Sequence, residues 1–395
     1  MDQTTSPHRY LSPERIMIRD TAREFTLREV LPLANTLDPV QGEIPLALRQ
    51  KLADMGYFGI RIPEQYGGSG LGVFEYCLIA EQLARGWMSV ASIIARGNGT
   101  MTMSLLDEAQ RAHMMPRVVR GEYLGAMSLS EPDTGSDLAS ISCRAERDGN
   151  EWVITGNKYW CTFADGADYI LLFARTSPSP DAQQRRHLGI SAFLLDKPRG
   201  VFPHGVHGAE IPKIGYFGWK TFELAFDRFR APASALIGAQ GQAFYALARG
   251  LDEARAHTAA RSIGLAQGAL EDAMAYAQER QQFGRPIAQF QDLRFKLARM
   301  ATDIEAARQL LYYVCDRIDC GARCDKEASM VKYFASEMAE RVTSDALQIL
   351  GGAGYTKLYA VERYWRDARL TKIFEGTSEI QLRIISDNLL GKADN

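Results

Sequence analysis

A carboxylate near the C-terminal end of the sequence, Glu375, has the surroundings of a general base. A helical pattern runs to Phe374, Gly376 breaks it, and residues 377–379 (Thr-Ser-Glu) have the composition of a new helix start. Because an apolar pair precedes Glu375, we expect burial to desolvate this acid and raise its pKa toward that of a base working near neutral pH. The amides of the new helix start can also seat a phosphate. An ordinary acid at a helix break has the same pattern.

Three other segments carry side chains that suit a flat, charged ligand. Residues 127–137 (MSLSEPDTGSD) lead from a strand into a loop whose hydroxyls and amides can bind a polar group, although many such loops bind nothing. Trp160 and Thr162 are two residues apart in a strand, so both are expected on one face, where they suit a planar heteroaromatic or a protein core. Arg280 and Arg285 bracket a turn and can clamp a pyrophosphate or neutralise a helix end.

The elements that must position these side chains change character twice along the chain. Helical periodicity runs from Ser12 to about Gly121, and Ser12 followed by Pro13 is typical of a helix start. The glycine-rich run at 67–72 lacks the spacing of a dinucleotide fingerprint and follows no clear strand, so we interpret it as a loop. Helices are predicted over 12–36, 45–55, 73–85, 89–106 and 108–120.

Short β-rich runs separated by turn signals fill residues 123–237, and the polar stretch at 175–188 is predicted to be an exposed loop. From 238 onward the chain has long amphipathic segments with short connections, the pattern of a helix bundle. The predicted fold is α+β and multidomain. It comprises an N-terminal α-helical domain (1–122), a central antiparallel β-barrel-like domain (123–237) and a C-terminal four-helix bundle (238–395).

Composition narrows the class of protein. The 395 residues include 46 basic and 48 acidic ones, a balance that does not favour nucleic acid as a partner. The six cysteines form no CxxC, no metal-ligand spacing occurs, and reduced thiols of a cytoplasmic protein are expected. The first 20 residues lack an apolar signal segment, and no apolar run reaches the length of a membrane span. We therefore expect a soluble protein with neither a metal nor a membrane partner.

Five motifs follow one another along the chain: Ser130-Glu131-Pro132 to Gly135-Ser136-Asp137, Trp160-Cys161-Thr162, Arg280-Gln281-Gln282-Phe283-Gly284, Gln348-Ile349-Leu350-Gly351-Gly352 and Phe374-Glu375-Gly376-Thr377-Ser378. Their order and spacing resemble those of acyl-CoA dehydrogenases over nearly the whole chain. The resemblance implies bound FAD and α,β-dehydrogenation of an acyl-CoA to the trans-2-enoyl-CoA, in fatty acid or amino acid catabolism. It also implies a homo-oligomer, usually a tetramer, and an electron-transferring flavoprotein as electron acceptor.

By motif match, Glu375 would remove the α-proton while the β-hydrogen leaves as hydride to flavin N5. The Glu375 backbone N–H and a flavin ribityl hydroxyl would polarise the thioester carbonyl. The cofactor-binding residues implied are Met127, Leu129, Ser130, Trp160, Thr162, Arg280, Phe283, Gln291, Gln348, Leu350, Gly351, Gly352, Thr377 and Glu379. The substrate-binding residues implied are Ser136, Asp252, Arg255 and Gly376, with Phe374 and Arg96 at the acyl chain.

Arg96 lies in the helix that lines the acyl chain in the resembled family. It can be a surface arginine, one paired to an acid at a domain contact, or a guanidinium that reaches the distal end of the pocket. Together with the aromatic bulk of Phe374, the last reading favours a short, branched or functionalised acyl group over a long straight chain.

The sequence leaves alternatives open for the catalytic base and for the function. Some members of the resembled family carry the base on the long helix, at the position of Ala254, but alanine cannot act as a base. Glu253 is adjacent but rotated by about 100° around the helix. An acyl-CoA oxidase, a flavin monooxygenase on the same scaffold and a non-catalytic binding relative are the competing functions. Cys161 is expected to be a small buried hydrophobe.

Overall fold

A computed structural model describes residues 10–177 and 185–391. The N-terminal part is helical, as predicted, and the Ser12 hydroxyl accepts a hydrogen bond from the Arg15 backbone N–H at 3.3 Å, which caps the first helix. A π-helical turn, Thr26–Val30, divides the helix predicted over 12–36. The helices are α1 Pro13–Phe25, α2 Leu31–Leu37, α3 Leu46–Asp54, α4 Val73–Gly86, α5 Met88–Ile93, α6 Ala95–Asn98, α7 Thr100–Leu105 and α8 Glu108–Val119.

The single helix predicted over 89–106 is wrong, because the chain breaks into α5, α6 and α7. Gly97 approaches the backbone of residue Phe58 so closely that an added Cβ would lie 2.1 Å from its carbonyl oxygen. The Asn98 side-chain amide donates to the carbonyls of Tyr57 and Ile94 at 2.7 and 2.8 Å. These contacts hold the short α6, which carries Arg96, against the loop that follows α3.

The central domain is one largely antiparallel sheet in which β1 pairs in parallel with β4. The strand order is β6-β7-β3-β2-β4-β5-β8, and its two ends do not pair. The predicted antiparallel β-domain is thus confirmed, but the described strands form no closed barrel. The strands are β1 Gly125–Ser128, β2 Arg144–Asp148, β3 Glu151–Thr162, β4 Tyr169–Arg175, β5 Ile190–Asp196, β6 Val206–Glu210, β7 Thr221–Pro232 and β8 Leu236–Ile237. The loop predicted at 175–188 lies partly outside the described residues.

The C-terminal part is helical, as predicted, and α9 is its central element. It packs against α10 and α11 and also against α4, because Gly264 lets α9 approach α4 until an added Cβ would lie 2.1 Å from the Glu81 carbonyl oxygen. A hairpin, β9 Gln281–Gln282 and β10 Arg285–Pro286, follows α9. The helices are α9 Ala243–Glu279, α10 Gln291–Asp319, α11 Asp325–Leu350, α12 Val361–Thr371 and α13 Ser378–Leu390.

All six cysteines are free thiols. No helix within the described ranges combines the length and apolar character that a membrane crossing requires.

Candidate active site

Glu375 lies in the break between α12 and α13, as the sequence predicts. Its backbone is left-handed, with φ 53°, a conformation that is uncommon for a residue other than glycine and marks a constrained position. The Thr377 hydroxyl caps α13 by accepting from the Ile380 N–H at 3.3 Å, and Glu379 lies in the first turn. The Glu375 side chain keeps about a third of its surface exposed, so its carboxylate remains reachable.

Two side chains of α9 hold the Glu375 carboxylate. Thr258 Oγ1 donates to Oε2, and Arg261 Nη2 donates to the same oxygen at 2.7 Å. Sequence reasoning missed this pair, because Arg261 is one of three arginines in the alanine-rich helix α9 and is 114 residues from Glu375. Within the described chain, no hydrogen bond engages Oε1.

Arg261 is almost fully buried, with 1% of its side chain exposed. Nη1 donates to the Ser92 hydroxyl at 2.8 Å, Nη2 also donates to Thr258 at 2.9 Å, and Nε contacts the His257 carbonyl at 3.4 Å. Burial disfavours the charged guanidinium, but the nearby Glu375 carboxylate outweighs it and raises the pKa of Arg261 above its usual value. The site therefore contains a permanent buried cation against the candidate base.

Lys332 lies near Glu375, and His257 lies beside Arg261. Lys332 Nζ donates to the Gly376 carbonyl at 2.6 Å, and burial lowers the pKa of this amine to about 8 although Glu375 opposes the shift. His257 stacks on Tyr76 at 4.5 Å, and burial lowers its pKa well below the usual value. The neutral imidazole therefore donates through Nε2 to the Ala91 carbonyl at 3.1 Å.

A series of aromatic ring contacts begins at Phe374, the residue that precedes Glu375. The Arg261 guanidinium lies 4.8 Å from the Phe374 ring, and Phe374 meets Tyr216 edge-to-face at 5.9 Å. Tyr216 meets Trp219 at 5.2 Å, and Arg96 lies 5.2 Å above the Trp219 ring. The structure thus brings Phe374 and Arg96 to one aromatic cluster: Arg96, Tyr216, Trp219 and Phe374. We call it the acyl-end cluster, after the position that the resemblance to acyl-CoA dehydrogenases implies for Phe374 and Arg96.

Arg96 is half-buried, and its Nε has no hydrogen-bond partner among the described residues. It also forms no ion pair with an acid in that part of the chain. The interpretation as an arginine paired to an acid at a domain contact therefore has no support there. Burial raises the pKa of both Cys161 and Tyr216 to about 12, and the Arg96 charge acts in the opposite direction on each. The Arg96 guanidinium therefore lies near both Cys161 and Tyr216.

The loop that carries Tyr216 and Trp219 is fixed at both ends. Lys213 Nζ donates to the carbonyls of Tyr216 and Trp219, each at 2.9 Å, and the Tyr216 N–H donates to Asp367 Oδ1 at 2.6 Å. Burial lowers the pKa of Lys213 to about 8. Burial and the neighbouring Asp38 raise the pKa of Asp367 to about 7.

The β-domain places the tryptophan motif beside the hydroxyl-rich loop. The Tyr159 N–H donates to the Ser130 carbonyl at 2.8 Å, and Cys161 Sγ lies 3.3 Å from the Met127 carbonyl oxygen. Cys161 is fully buried, as predicted. Thr162 pairs its hydroxyl with that of Thr221 at 3.0 Å, and β7 begins at Thr221, directly after the loop of the acyl-end cluster.

The expectation that Trp160 and Thr162 share a face by regular strand alternation needs correction. A register shift between Lys158 and Cys161 interrupts the pairing of β3 with β7, and Trp160 has a left-handed φ of 62°. Such a bulge re-aims side chains, so simple two-residue alternation does not hold there. The bulge leaves the Trp160 indole 55% exposed.

A buried ion pair supports the loop that begins at Ser130. Lys158, with no exposed side-chain surface, donates to Glu131 Oε1 at 2.9 Å and to the Leu129 carbonyl at 2.9 Å. Glu131 also accepts from the N–H groups of Ser142 and Cys143. Burial opposes ionisation of Glu131, but Lys158 outweighs it and leaves the pKa of this carboxyl below its usual value.

The predicted pair Asp252 and Arg255 forms an ion pair at 2.8 Å. Asp252 lines a cavity of about 990 Å³ between the start of α9, α7 and the connection from α10 to α11. Glu253, the runner-up for the base, forms an ion pair with Arg61 instead. Ser136 is exposed in the hydroxyl-rich loop.

Another group of predicted residues is not brought to Glu375 by this chain. Within the described ranges no hydrogen bond, ion pair or ring contact joins them to the residues around the carboxylate. Phe283, for example, is 93% exposed at the tip of the β9–β10 hairpin. Leu350 is buried and the others are exposed: Arg280, Phe283, Gln291, Gln348, Gly351 and Gly352.

Three family models match the chain in sequence. They describe the N-terminal, middle and C-terminal domains of acyl-CoA dehydrogenases and cover residues 12–122, 126–229 and 241–390. The chain belongs to the acyl-CoA dehydrogenase family of FAD-dependent oxidoreductases.

Individual relatives agree with this assignment. A (2S)-methylsuccinyl-CoA dehydrogenase of Cereibacter sphaeroides is 41% identical over 96% of this chain and 70% of its own length. An acyl-CoA dehydrogenase of Bacillus subtilis is 40% identical over 97% of this chain and 99% of its own. The crystal structure of a glutaryl-CoA dehydrogenase from Mycobacterium smegmatis in complex with FADH2 is similar with a TM-score of 0.89. It is 28% identical, over 98% of this chain and 97% of that one.

The residues present fit a flavin. A largely exposed indole in a left-handed bulge is a costly arrangement that an aromatic ligand would cover. It lies beside hydroxyls and main-chain groups of the loop from Met127, which suit the polar edge of such a ring system. Within this chain, FAD would be held by Met127, Leu129, Ser130, Trp160 and Thr162.

Proposed function

We propose that the protein dehydrogenates a short or functionalised acyl-CoA at its α,β-bond, with Glu375 as the base. The observation that carries this proposal is the carboxylate itself, which is fixed through Oε2 by Thr258 and Arg261 at a constrained helix break. Oε1 is left to take the α-proton. FAD, when bound, accepts the β-hydrogen with its electron pair.

The backbone around the base supports the same role. The Glu375 N–H donates to no acceptor in the part of the chain that the structure describes, so it is available to the thioester carbonyl oxygen. A fixed donor in a site from which substrate excludes water stabilises the charge that grows on that oxygen. Ser136, Asp252, Arg255 and Gly376 are assigned to the substrate, the first three on the side of its CoA moiety.

The acyl-end cluster supports a short chain. Phe374, Tyr216 and Trp219 form a continuous series of ring contacts, and Arg96 adds a cation at its end. We therefore expect low activity on chains of twelve carbons or more. The substrate named for the Cereibacter relative, a branched and carboxylated acyl-CoA, has the functionalised chemistry that such a pocket suits.

Electrons are proposed to pass to an electron-transferring flavoprotein, and the active form is proposed to be a homo-oligomer, a tetramer as usual in this family. Residues on the hairpin, at the start of α10 and around the end of α11 would then reach the cofactor of a neighbouring subunit: Arg280, Phe283, Gln291, Gln348, Leu350, Gly351 and Gly352. Thr377 and Glu379 would lie by the adenosine diphosphate part. Rapid peroxide formation in air would instead assign an oxidase, and NAD reduction at the rate of flavin reduction would contradict the flavoprotein acceptor.

The test compares wild type with Glu375→Gln and Glu253→Gln as FAD-loaded enzymes. Anaerobic addition of short acyl-CoAs should bleach the flavin of wild type and of Glu253→Gln. Glu375→Gln should bind the same thioesters but lose turnover by several orders of magnitude. Residual activity above about a tenth of wild type, a loss below roughly 1.4 kcal/mol, would contradict the assignment of the base.

A further inference from the structure

Arg261 is a buried cation whose anionic partner, in the described part of the chain, is the base itself. Their atoms Nη2 and Oε2 are 2.7 Å apart. Lys332 is a second cation near this pair and supplies no negative charge. Burial raises the pKa of Tyr76 and Tyr216 and lowers that of His257, so none of the three supplies a negative charge near pH 7. Among residues 10–177 and 185–391, Glu375 is therefore the anion that balances the positive charge of Arg261.

The proposed reaction removes that balance. When Glu375 takes the α-proton it becomes a neutral acid, and Arg261 is left as a buried cation without an anion. A buried charge that loses its partner is strongly destabilising. The same arrangement thus opposes proton transfer unless another negative charge lies beside Arg261 when the transfer occurs.

We propose that the substrate supplies this charge: a carboxylate on the acyl chain pairs with Arg261 as Glu375 becomes protonated, so the substrates are CoA thioesters of short dicarboxylic acids. This inference rests on the proposed function and names its substrate class. Before proton transfer the two carboxylates share one guanidinium, and afterwards the substrate carboxylate keeps it paired. The interaction is stronger in the transition state than in the ground state and therefore acts on kcat.

The hydrogen bonds of Arg261 leave room for such a partner. A guanidinium has five N–H groups. Four of them donate to Ser92, Thr258, Glu375 and the His257 carbonyl. The fifth, on Nη1, donates to no acceptor among the residues that the structure describes, so it is available for a substrate oxygen. A planar guanidinium recognises carboxylates well.

Geometry limits the length of the chain. The α-carbon must lie about 3–3.5 Å from Glu375, and the substrate carboxylate about 3 Å from Arg261. Since Arg261 already touches Glu375, the carboxyl carbon must be bonded to the β-carbon or lie one carbon beyond it. Succinyl- and glutaryl-type groups meet this limit, whereas Arg96 is reached from Phe374 only through the rings of Tyr216 and Trp219.

A binding experiment isolates the charge effect. Glu375→Gln mimics the protonated base and does not turn over, so succinyl-CoA and butyryl-CoA can both be titrated anaerobically into this FAD-loaded variant. We expect succinyl-CoA to bind at least tenfold more tightly than butyryl-CoA. The double variant Glu375→Gln/Arg261→Gln should lose that preference while keeping its FAD. Equal affinity for both thioesters in Glu375→Gln would overturn the proposal, and this result does not require the double variant to fold.

Steady-state kinetics provide a second test on variants that keep the base. Arg261→Gln should lower the ratio of kcat for succinyl-CoA to kcat for butyryl-CoA by at least tenfold, and Arg261→Lys, which keeps the charge, should restore part of it. A merely structural role would lower both kcat values and leave their ratio unchanged, which would contradict the proposal. Loss of the ratio in Arg96→Met but not in Arg261→Gln would also contradict it.

Different results would contradict the proposed function and the role of Arg261. The proposed function fails if no acyl-CoA bleaches the wild-type flavin, or if Glu375→Gln stays active. The inference on Arg261 fails if the wild type dehydrogenates butyryl-CoA as fast as succinyl-CoA and glutaryl-CoA, since that result leaves the base and the reaction unaffected.

Discussion

Lys332 donates a hydrogen bond of 2.6 Å to the carbonyl oxygen of Gly376, the residue that follows the candidate base. Lys332 is fully buried on α11, so this contact joins the backbone at the break between α12 and α13 to the interior of the helical part. The position of the Glu375 carboxylate therefore depends on contacts at two places: Thr258 and Arg261 hold its side chain, and Lys332 holds the backbone of the next residue.

Replacement of Lys332 by methionine should lower kcat about tenfold, equivalent to about 1.4 kcal/mol, because the break loses its backbone anchor. It should also change the dependence of stability on pH. Burial lowers the pKa of Lys332 to about 8, so between about pH 8 and 10.5 the unfolded lysine holds a proton that the folded one has lost. The unfolding free energy of wild type should therefore rise relative to Lys332→Met across that interval.

Lys372→Met is the matched control. Hydrogen bonds to Glu337 and Glu340 raise the pKa of Lys372, so its stabilising contribution is present at lower pH and is lost only as pH passes that raised value. Denaturant unfolding of the three proteins at several pH values measures the difference. If the unfolding free energy of wild type rises with pH by the same amount relative to Lys332→Met and relative to Lys372→Met, the role of Lys332 is contradicted.

Replacement of Lys158 by methionine should destabilise the β-domain by about 3–5 kcal/mol, because Glu131 is left as a buried, unpaired carboxylate. The loop from Met127 should loosen, so the variant should also retain less FAD. Arg230→Met, which removes exposed ion pairs with Asp148 and Glu151, is a matched control and should leave the unfolding free energy almost unchanged. Chemical denaturation and the ratio of flavin to protein absorbance measure both effects, and equal losses in the two variants would contradict the prediction.

Asp367 should make the folded protein less stable as pH rises from about 4 to about 7. Burial and Asp38 raise its pKa to about 7, so its contribution to stability is fully present below pH 4 and is lost as pH rises through 7. Asp367→Asn keeps a neutral acceptor for the Tyr216 N–H and lacks this titration. The unfolding free energy of wild type relative to Asp367→Asn should therefore fall across the interval, as measured by denaturation at fixed ionic strength. A flat difference would show that Asp367 stays ionised.

Sequence reasoning predicted the order of the three structural parts, most helix bounds and the break that carries Glu375, because those features follow from local periodicity and capping. It placed Arg96 near the acyl end but could not supply Trp219 as its contact. It missed Arg261 and Lys332, which meet Glu375 and Gly376 only after α9, α11 and the α12–α13 break have packed together. The bulge at Trp160 was also missed, since it arises from the pairing of β3 with β7 and has no distinct signal in β3.

The hairpin tip gives the last prediction. Phe283 is 93% exposed in a turn where it and Gly284 have φ of 52° and 76°, so the turn presents an aromatic side chain to the outside of this chain. If this side chain contacts FAD of a neighbouring subunit, Phe283→Ser should weaken cofactor retention and the oligomer together without changing the fold of the chain. Val201→Ser, at a 53% exposed valine of the β-domain, is the control. We expect gel filtration with in-line light scattering to give a smaller mass for Phe283→Ser on dilution, with a lower flavin-to-protein ratio and unchanged circular dichroism. An unaltered mass and flavin content would exclude the hairpin from a shared cofactor site.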